Sequence, residues 1–219
     1  FQILAITFTN KAAGEMKERV ASLVGPVAHR MWVATFHSAC ARILRREAEH
    51  LGMRSAFTIY DQADAVRLVD YVRRDLDLDP KRFPPRQLHA RISALRNELV
   101  LPEAYAASAV TPPEKTTAKV YAEYQRRLLD ASAVDFDDLL VLTVRLFREH
   151  PDVLARWQHR FQHVLVDEFQ DTNLAQWELV QMLTEASRNV LVVGDTDQAI
   201  YRFRGADYRN LMRFEEAFP

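Results

Sequence analysis

HVLVDEFQDTN, residues His163–Asn173, is the stretch that decides the fold. Its apolar run, Val164–Val166, ends abruptly in Asp167 and Glu168. Polar residues directly after a buried parallel strand lie at the carboxyl end of the sheet, which is where open α/β folds bind ligands. Mg²⁺ prefers oxygen ligands and is usually held by one or two carboxylates plus substrate phosphates. The stretch therefore predicts a nucleotide and metal site; the alternative is a strand followed by an acidic helical turn.

Three βα patterns surround this stretch and predict a parallel sheet with flanking helices. Apolar runs of strand length precede segments with helical spacing at 3–8 and 10–24, at 32–35 and 36–51, and at 164–166 and 174–186. A last run, Val190–Val193, ends in Gly194 and Asp195 and completes a βαβ unit. The fold class predicted is α/β, with residues 1–51 and 132–219 forming its core.

Residues 52–131 predict an inserted helical subdomain. Helical segments at 61–76, 85–99, 102–108 and 113–131 are separated by breaks that prolines mark. Residues 80–97 contain five Lys and Arg residues and no Asp or Glu. The basic residues are Lys81, Arg82, Arg86, Arg91 and Arg96. They predict a local basic surface, the alternative being an ordinary solvated helix face.

The segment VDFDD, residues 134–138, precedes another apolar helical pattern. Asp135 stands where a helix N-cap is expected, and Asp138 stands at the third helical position. Capping is the favoured interpretation, and a metal-binding acid cluster is the alternative.

Composition excludes some partners and leaves others open. The chain has 29 Lys and Arg against 30 Asp and Glu, so any polyanion must be bound by local patches. The one cysteine, Cys40, excludes an internal disulfide, fits a reducing cytoplasm and is expected in the core. No apolar run reaches membrane-spanning length.

The five glycines cannot form a G-x-x-x-x-G-K-[ST] phosphate loop. Both termini suggest a cut through a longer protein.

Two strand ends are expected to bring nucleotide chemistry together. One carries Asp167, Glu168 and Gln170, and the other carries Asp195 and Gln198. In phosphoryl transfer to water, a metal bridges phosphate oxygens, a carboxylate acts on the water and an amide can contact the γ-phosphate. Asp167 would hold Mg²⁺ through its water shell, Glu168 would activate water and Gln198 would contact the γ-phosphate. Gln198 alone would more often be a surface or capping side chain.

Five ordered motifs together resemble UvrD/PcrA/Rep-type superfamily-one DNA helicases. They are TFTNKAAGEM at 7–16, TFHSACARIL at 35–44, DFDDLL at 135–140, VDEFQDTN at 166–173 and VVGDTDQAIYRFRGAD at 192–207. The resemblance covers essentially the whole chain. It implies a RecA-like core of the P-loop NTPase type with the Walker B motif but without Walker A.

The resemblance implies an ATP-dependent 3′→5′ helicase or translocase on single-stranded DNA, of the DNA-repair type. ATP and Mg²⁺ would be its cofactors, and single-stranded DNA and the junction of single- and double-stranded DNA its substrates. The P-loop segment and a second RecA-like domain would come from the rest of the same protein, so the 219 residues alone are expected to be inactive. We expect a cytoplasmic protein, without membrane contact, that joins the nucleoid when bound to DNA.

The resemblance also implies a DNA-binding face. Its members would be Phe8, Asn10, Phe36, His37, Tyr201, Phe203 and Arg204. Bases stack on aromatic side chains without demanding a sequence. For Phe8 and Phe36 the alternative is an aromatic residue of the core, for His37 a structural histidine, and for Arg204 a surface cation. The chain departs from the family pattern at Phe203, where tryptophan is common, and at Ala199, where serine is common.

Two other functions stay open from the sequence. A DNA-binding or regulatory module could keep the fold without hydrolysing ATP. A metal-dependent phosphohydrolase could use Asp167, Glu168 and Asp171, but it would leave the flanking motifs unexplained.

Overall fold

A parallel β-sheet lies at the centre of the protein. The computed structural model describes residues 2–195, 207 and 209–219. Along the chain the strands are β1 (Ile3–Thr7), β2 (Trp32–Thr35), β3 (Thr58–Ile59), β4 (Ala133–Val134), β5 (His163–Val166) and β6 (Val190–Val192). Four of them form the main sheet in the order β2-β1-β5-β6, and every pairing is parallel.

Helices account for most of the remaining described chain. They are α1 (Asn10–Val24), α2 (Phe36–Glu47), α3 (Gln62–Asp75), α4 (Pro85–Asn97), α5 (Pro102–Ser108), α6 (Pro112–Asp130), α7 (Phe136–Glu149), α8 (Pro151–Arg160), α9 (Leu174–Thr184) and α10 (Arg209–Ala217). The predicted α/β fold, a parallel sheet with flanking helices and a helical insertion, is confirmed. None of the described helices has the length and apolar character needed to cross a membrane.

Side-chain caps fix where several of the helices begin. The Thr9 side chain accepts a hydrogen bond from the backbone N–H of Ala12 at the start of α1. Asp135 and Asp138 form a capping box at the start of α7, which confirms the capping interpretation of VDFDD. The predicted continuous helix over 36–51 is wrong at its end, because α2 stops at Glu47 and a 3₁₀ turn, Ala48–Leu51, follows.

Two buried apolar clusters organise the packing. The first lies around the main sheet and includes Trp32, Phe161 and the predicted core residue Cys40. Burial raises the pKa of the Cys40 thiol to about 12, so it behaves as a small apolar side chain. The second cluster lies among α3, α4, α5 and α6. The insertion also contains β3, which pairs with β4, and the domain boundaries at 51/52 and 131/132 stay a prediction.

Arg96 corrects the predicted basic surface. Its side chain is 1% exposed, so it does not belong to the surface that Lys81, Arg82, Arg86 and Arg91 present. The guanidinium group pairs with Asp135 and lies 3.4 Å from Asp138, and it also contacts the Gln125 side chain. A buried cation requires such partners, because an unpaired charge inside the protein is very costly.

The two carboxyl groups next to Arg96, those of Asp135 and Asp138, differ in pKa. Tyr124 Oη donates a 2.6 Å hydrogen bond to Asp135, and the charge of Arg96 together with this bond keeps the pKa of Asp135 below its usual value against the effect of burial. Burial, with the nearby charge of Asp135, raises the pKa of Asp138 to about 7 in spite of Arg96. The cluster therefore balances one guanidinium chiefly against one carboxylate, and it joins α4 to the start of α7.

We expect Arg96→Leu to lower the free energy of unfolding by about 3–5 kcal/mol, since it leaves the buried Asp135 carboxylate without its cation. Urea unfolding followed by circular dichroism measures the change. The matched control is Arg86→Leu, on an exposed residue of the same helix, which should change the free energy by about 0.5 kcal/mol or less. Equal effects of the two substitutions would contradict the buried ion pair.

Candidate nucleotide and DNA-binding site

Three strands of the main sheet end level with one another. Ile6 of β1 lies beside Val166 of β5, and Val166 lies beside Val192 of β6. The backbone N–H of Asp167 donates to the carbonyl of Ile6 at 2.9 Å. The backbone N–H of Val193 donates to the carbonyl of Val166 at 2.8 Å. The residues that follow these strands are therefore held at one edge of the sheet.

The chain turns sharply directly after Asp167. Glu168 has φ 52° and ψ 41°, in the left-handed region that side chains other than glycine seldom adopt. A short 3₁₀ turn, Phe169–Asp171, follows, and the N–H of Phe169 donates to the carbonyl of Val193 at 2.9 Å. Asp167 is half-buried and Glu168 is exposed, so the turn presents both carboxylates at the edge of the sheet.

Gln170 connects the two strand ends through its side chain. It is 2% exposed, its Nε2 donates to Glu168 Oε2 at 2.6 Å, and its Oε1 accepts from the backbone N–H of Asp195 at 3.1 Å. The amide thus orients the Glu168 carboxylate and fixes it relative to the end of β6. Sequence reasoning placed Gln170 at this edge but assigned it no role.

Gly194 leaves the space that Gln170 occupies. A Cβ atom at this position would lie 2.7 Å from Gln170 Oε1 and 3.3 Å from the Gln170 backbone nitrogen. Real Cβ atoms essentially never come so close to another heavy atom. Any side chain at position 194 must therefore displace the amide that supports Glu168.

Hydrogen bonds connect the residues after the turn to α4 and to α10. Asn173 caps α9 in a box with Gln176, and its Nδ2 donates to Asn97 Oδ1 of α4 at 2.6 Å. Asn210 of α10 is fully buried, and its Nδ2 donates to the carbonyl of Thr172 at 2.9 Å. Sequence reasoning missed Asn97 and Asn210, because their partners lie far away along the chain.

The chemistry of these side chains fits a hydrated magnesium ion. Asp167 and Glu168 supply oxygen donors at an open edge, and the described residues contain no group of three or more His, Cys, Asp or Glu arranged to hold a metal. One or two carboxylates with water and substrate phosphates are the usual protein environment of Mg²⁺.

The predicted DNA-binding residues of the first two motifs lie together beside this edge. Thr7 and Thr35 are paired across β1 and β2, so Phe8 and Phe36 follow neighbouring strands. Their rings meet edge to face, with centroids 5.9 Å apart. Phe36 is only 2% exposed, so in this conformation it supports the half-buried ring of Phe8 from the core. Asn10 is exposed at the first turn of α1.

An exposed aromatic residue that sequence reasoning missed adjoins His37. The Phe136 ring is 48% exposed and packs against the His37 ring with centroids 5.7 Å apart at 88°. Burial lowers the pKa of His37, so its ring is neutral at pH 7. The sequence signal that could have identified Phe136 is a large apolar residue at the first position of a capped helix. Phe8, His37 and Phe136 are called the aromatic surface below.

The other predicted site residues, Gln198, Tyr201, Phe203 and Arg204, lie outside the described residues, as does Ala199.

Comparison with known proteins gives a consistent result. The family model for the UvrD/REP helicase N-terminal domain matches residues 1–219. The ATP-dependent DNA helicase PcrA of Bacillus subtilis strain 168 is 48% identical over 219 residues, which cover 100% of this chain. PcrA of Staphylococcus aureus strain Mu50 is 47% identical over 219 residues, and PcrA of Leuconostoc citreum is 47% identical over 220 residues.

The chain spans about 30% of the length of these relatives. Its match to the family model extends over every residue. The chain belongs to the UvrD/REP helicase N-terminal domain family.

Proposed function

We propose that this chain is the part of an ATP-dependent DNA helicase that carries the metal- and water-activating carboxylates and one part of the single-stranded DNA path. The observation that carries the proposal is the Glu168 carboxylate, which Gln170 holds at the level end of β1, β5 and β6. The family membership and the PcrA relatives support the same conclusion.

The carboxylates have separate roles in this proposal. Asp167 would hold Mg²⁺ through coordinated water, and the chemistry that this ion would supply is neutralisation of charge on the ATP phosphates. Glu168 orients the attacking water and accepts its proton. Gln170 positions Glu168 and touches no substrate. Gln198 contacts the γ-phosphate and links the nucleotide to the DNA side.

DNA would cross the aromatic surface next to this edge. Phe8 and Phe136 offer exposed ring surface to the bases, and Asn10 and His37 supply polar contacts. Phe36 supports Phe8 from beneath. Tyr201, Phe203 and Arg204, which lie outside the described residues, would add contacts to the DNA. Base stacking on aromatic rings contributes about 1–3 kcal/mol per base and tolerates any sequence, as a translocating motor requires.

The remaining machinery would lie in the rest of a longer protein, as the 30% coverage of the relatives suggests. That part would supply a phosphate-binding loop and a second RecA-like domain, and the motor would move 3′→5′ in DNA repair in the cytoplasm. Residues 1–51 and 132–219 would form the motor core, and residues 52–131 would approach the junction of single- and double-stranded DNA. The 219 residues alone would not hydrolyse ATP.

The alternative of a DNA-binding module without hydrolysis predicts no role for Glu168. The exposed Glu168 carboxylate, which Gln170 supports next to the half-buried Asp167, favours the hydrolase. The phosphohydrolase alternative leaves the aromatic surface without a function.

In the intact protein we expect Glu168→Gln to retain ATP binding and to lower DNA-stimulated turnover by about 100-fold or more, since a general base contributes on that scale. Fluorescent-nucleotide titration and phosphate release measure the two quantities. The matched control is Glu185→Gln, on an exposed residue beyond α9, which should leave both unchanged. Turnover near the wild-type rate in Glu168→Gln would remove Glu168 from the reaction.

We expect Gly194→Ala to lower turnover about tenfold or more with ATP affinity nearly unchanged, because the new Cβ displaces Gln170 and a small misplacement of a catalytic group is costly. The same two assays measure the effect. Gly14→Ala is the matched control, since a Cβ there meets nothing within 4 Å. Equal turnover in the two variants would show that the position of Gln170 does not matter.

A further inference from the structure

Residues 168–173, called the Glu168 turn below, are fastened to α10 by a fully buried asparagine. Asn210 Nδ2 lies 2.9 Å from the carbonyl oxygen of Thr172, 3.2 Å from Thr172 Oγ1 and 3.2 Å from the carbonyl oxygen of Asn173. Buried polar groups are stabilised by such hydrogen bonds. One side-chain amide therefore holds two consecutive residues at the C-terminal end of the turn.

Hydrogen bonds inside the turn connect that end to Glu168. The hydroxyl group of Thr172 donates to the carbonyl of Phe169 at 2.7 Å, and the backbone N–H of Thr172 donates to the same carbonyl at 3.1 Å. The backbone N–H of Asp171 donates to the carbonyl of Glu168 at 3.0 Å. A displacement of Thr172 would therefore move the first two peptide groups after Glu168.

The backbone of Glu168 depends on such support, because its conformation is unfavourable. Its φ of 52° and ψ of 41° lie in the left-handed region, which a residue with a side chain keeps only when neighbouring contacts fix it. The Phe169 N–H and the Gln170 side chain hold the first part of the turn against the end of β6. Asn210 holds the last part against α10. The direction of the Glu168 carboxylate therefore depends on both sets of contacts.

Contacts within α10 fix which way the Asn210 amide faces. Arg213 Nη1 donates to Asn210 Oδ1 at 2.6 Å and to Asp207 Oδ2 at 3.1 Å. A guanidinium group can only donate and a backbone carbonyl can only accept, so the amide oxygen faces Arg213 and the amide nitrogen faces the turn. An aspartate at position 210 would keep the shape and the contact with Arg213, but it would present an oxygen atom to the carbonyl groups of the turn.

We propose that Asn210 is a positioning residue for ATP hydrolysis, which fixes the direction of the Glu168 carboxylate through Thr172 and Asn173. Asn210 is fully buried, so it acts through the turn rather than by contact with the nucleotide. This inference rests on the proposed function, because that function makes Glu168 the base that accepts a proton from the attacking water.

The first test compares steady-state ATP hydrolysis, in the presence of DNA, by the intact protein and its Asn210→Asp variant. We expect kcat to fall about tenfold or more and KM for ATP to change less than about twofold, since a small misplacement of a catalytic group is costly. The matched control is Thr184→Val, at another fully buried residue, whose hydroxyl group donates to the Val180 carbonyl at 2.7 Å. Thr184 lies at the end of α9, about 15 Å along the helix axis from the turn, so kcat should be unchanged.

A double variant separates positioning from a general loss of folded protein. If Asn210 acts through Glu168, Asn210→Asp should lower the kcat of the wild type but leave the kcat of Glu168→Gln unchanged, because residues that act as a unit have non-additive effects. A smaller folded fraction would instead lower kcat by the same factor in both backgrounds.

Less disruptive substitutions keep the test decisive. If thermal unfolding shows that Asn210→Asp does not fold, Asn210→Ala and Thr172→Val replace it in both measurements. Each removes part of the same connection without adding a charge.

A wild-type kcat in the folded variants, or the same loss of kcat in both backgrounds, would overturn the inference and leave Asn210 with a role in stability only. If Glu168→Gln itself hydrolysed ATP at the wild-type rate, the proposed function would fail, and the inference with it. The two failures are therefore distinguishable.

Discussion

The level ending of β1, β5 and β6 is the constraint on which the rest of the structure depends. Parallel pairing sets Ile6, Val166 and Val192 side by side, and backbone hydrogen bonds continue past the strands through Asp167 and Val193. The residues after the strands must then share one edge of the sheet. In the proposed function, neighbouring positions along that edge hold a nucleotide on one side and DNA on the other.

The support of this edge reaches into the helical insertion through two consecutive residues of α4. Arg96 pairs with Asp135 at the cap of α7, and Asn97 accepts a hydrogen bond from Asn173 at the cap of α9. Neutral hydrogen bonds contribute about 1 kcal/mol each, whereas breaking a buried ion pair costs several times as much. Arg96 therefore provides the stronger connection, and Asn97 aligns α4 with the turn that follows β5.

The sequence predicted the features that depend on residues close together along the chain. Strand and helix periodicity, the Asp135 cap and the Asp167–Glu168 strand end could be interpreted within short windows, and the structure has all three. Arg96 was wrongly assigned to the surface, because its partners Gln125 and Asp135 lie 29 and 39 residues away along the chain. The role of Gln170 depends on the backbone of Asp195, and the exposure of Phe136 depends on how α7 packs. No local pattern reports such contacts.

The most direct test of the central claim is the affinity of the intact protein for Mn²⁺ in the presence of ATP, measured by electron paramagnetic resonance. We expect Asp167→Asn to weaken metal binding about tenfold or more and to leave binding of ATP without metal unchanged. Metal affinity equal to that of the wild type would contradict the assignment of this edge as the nucleotide and metal site.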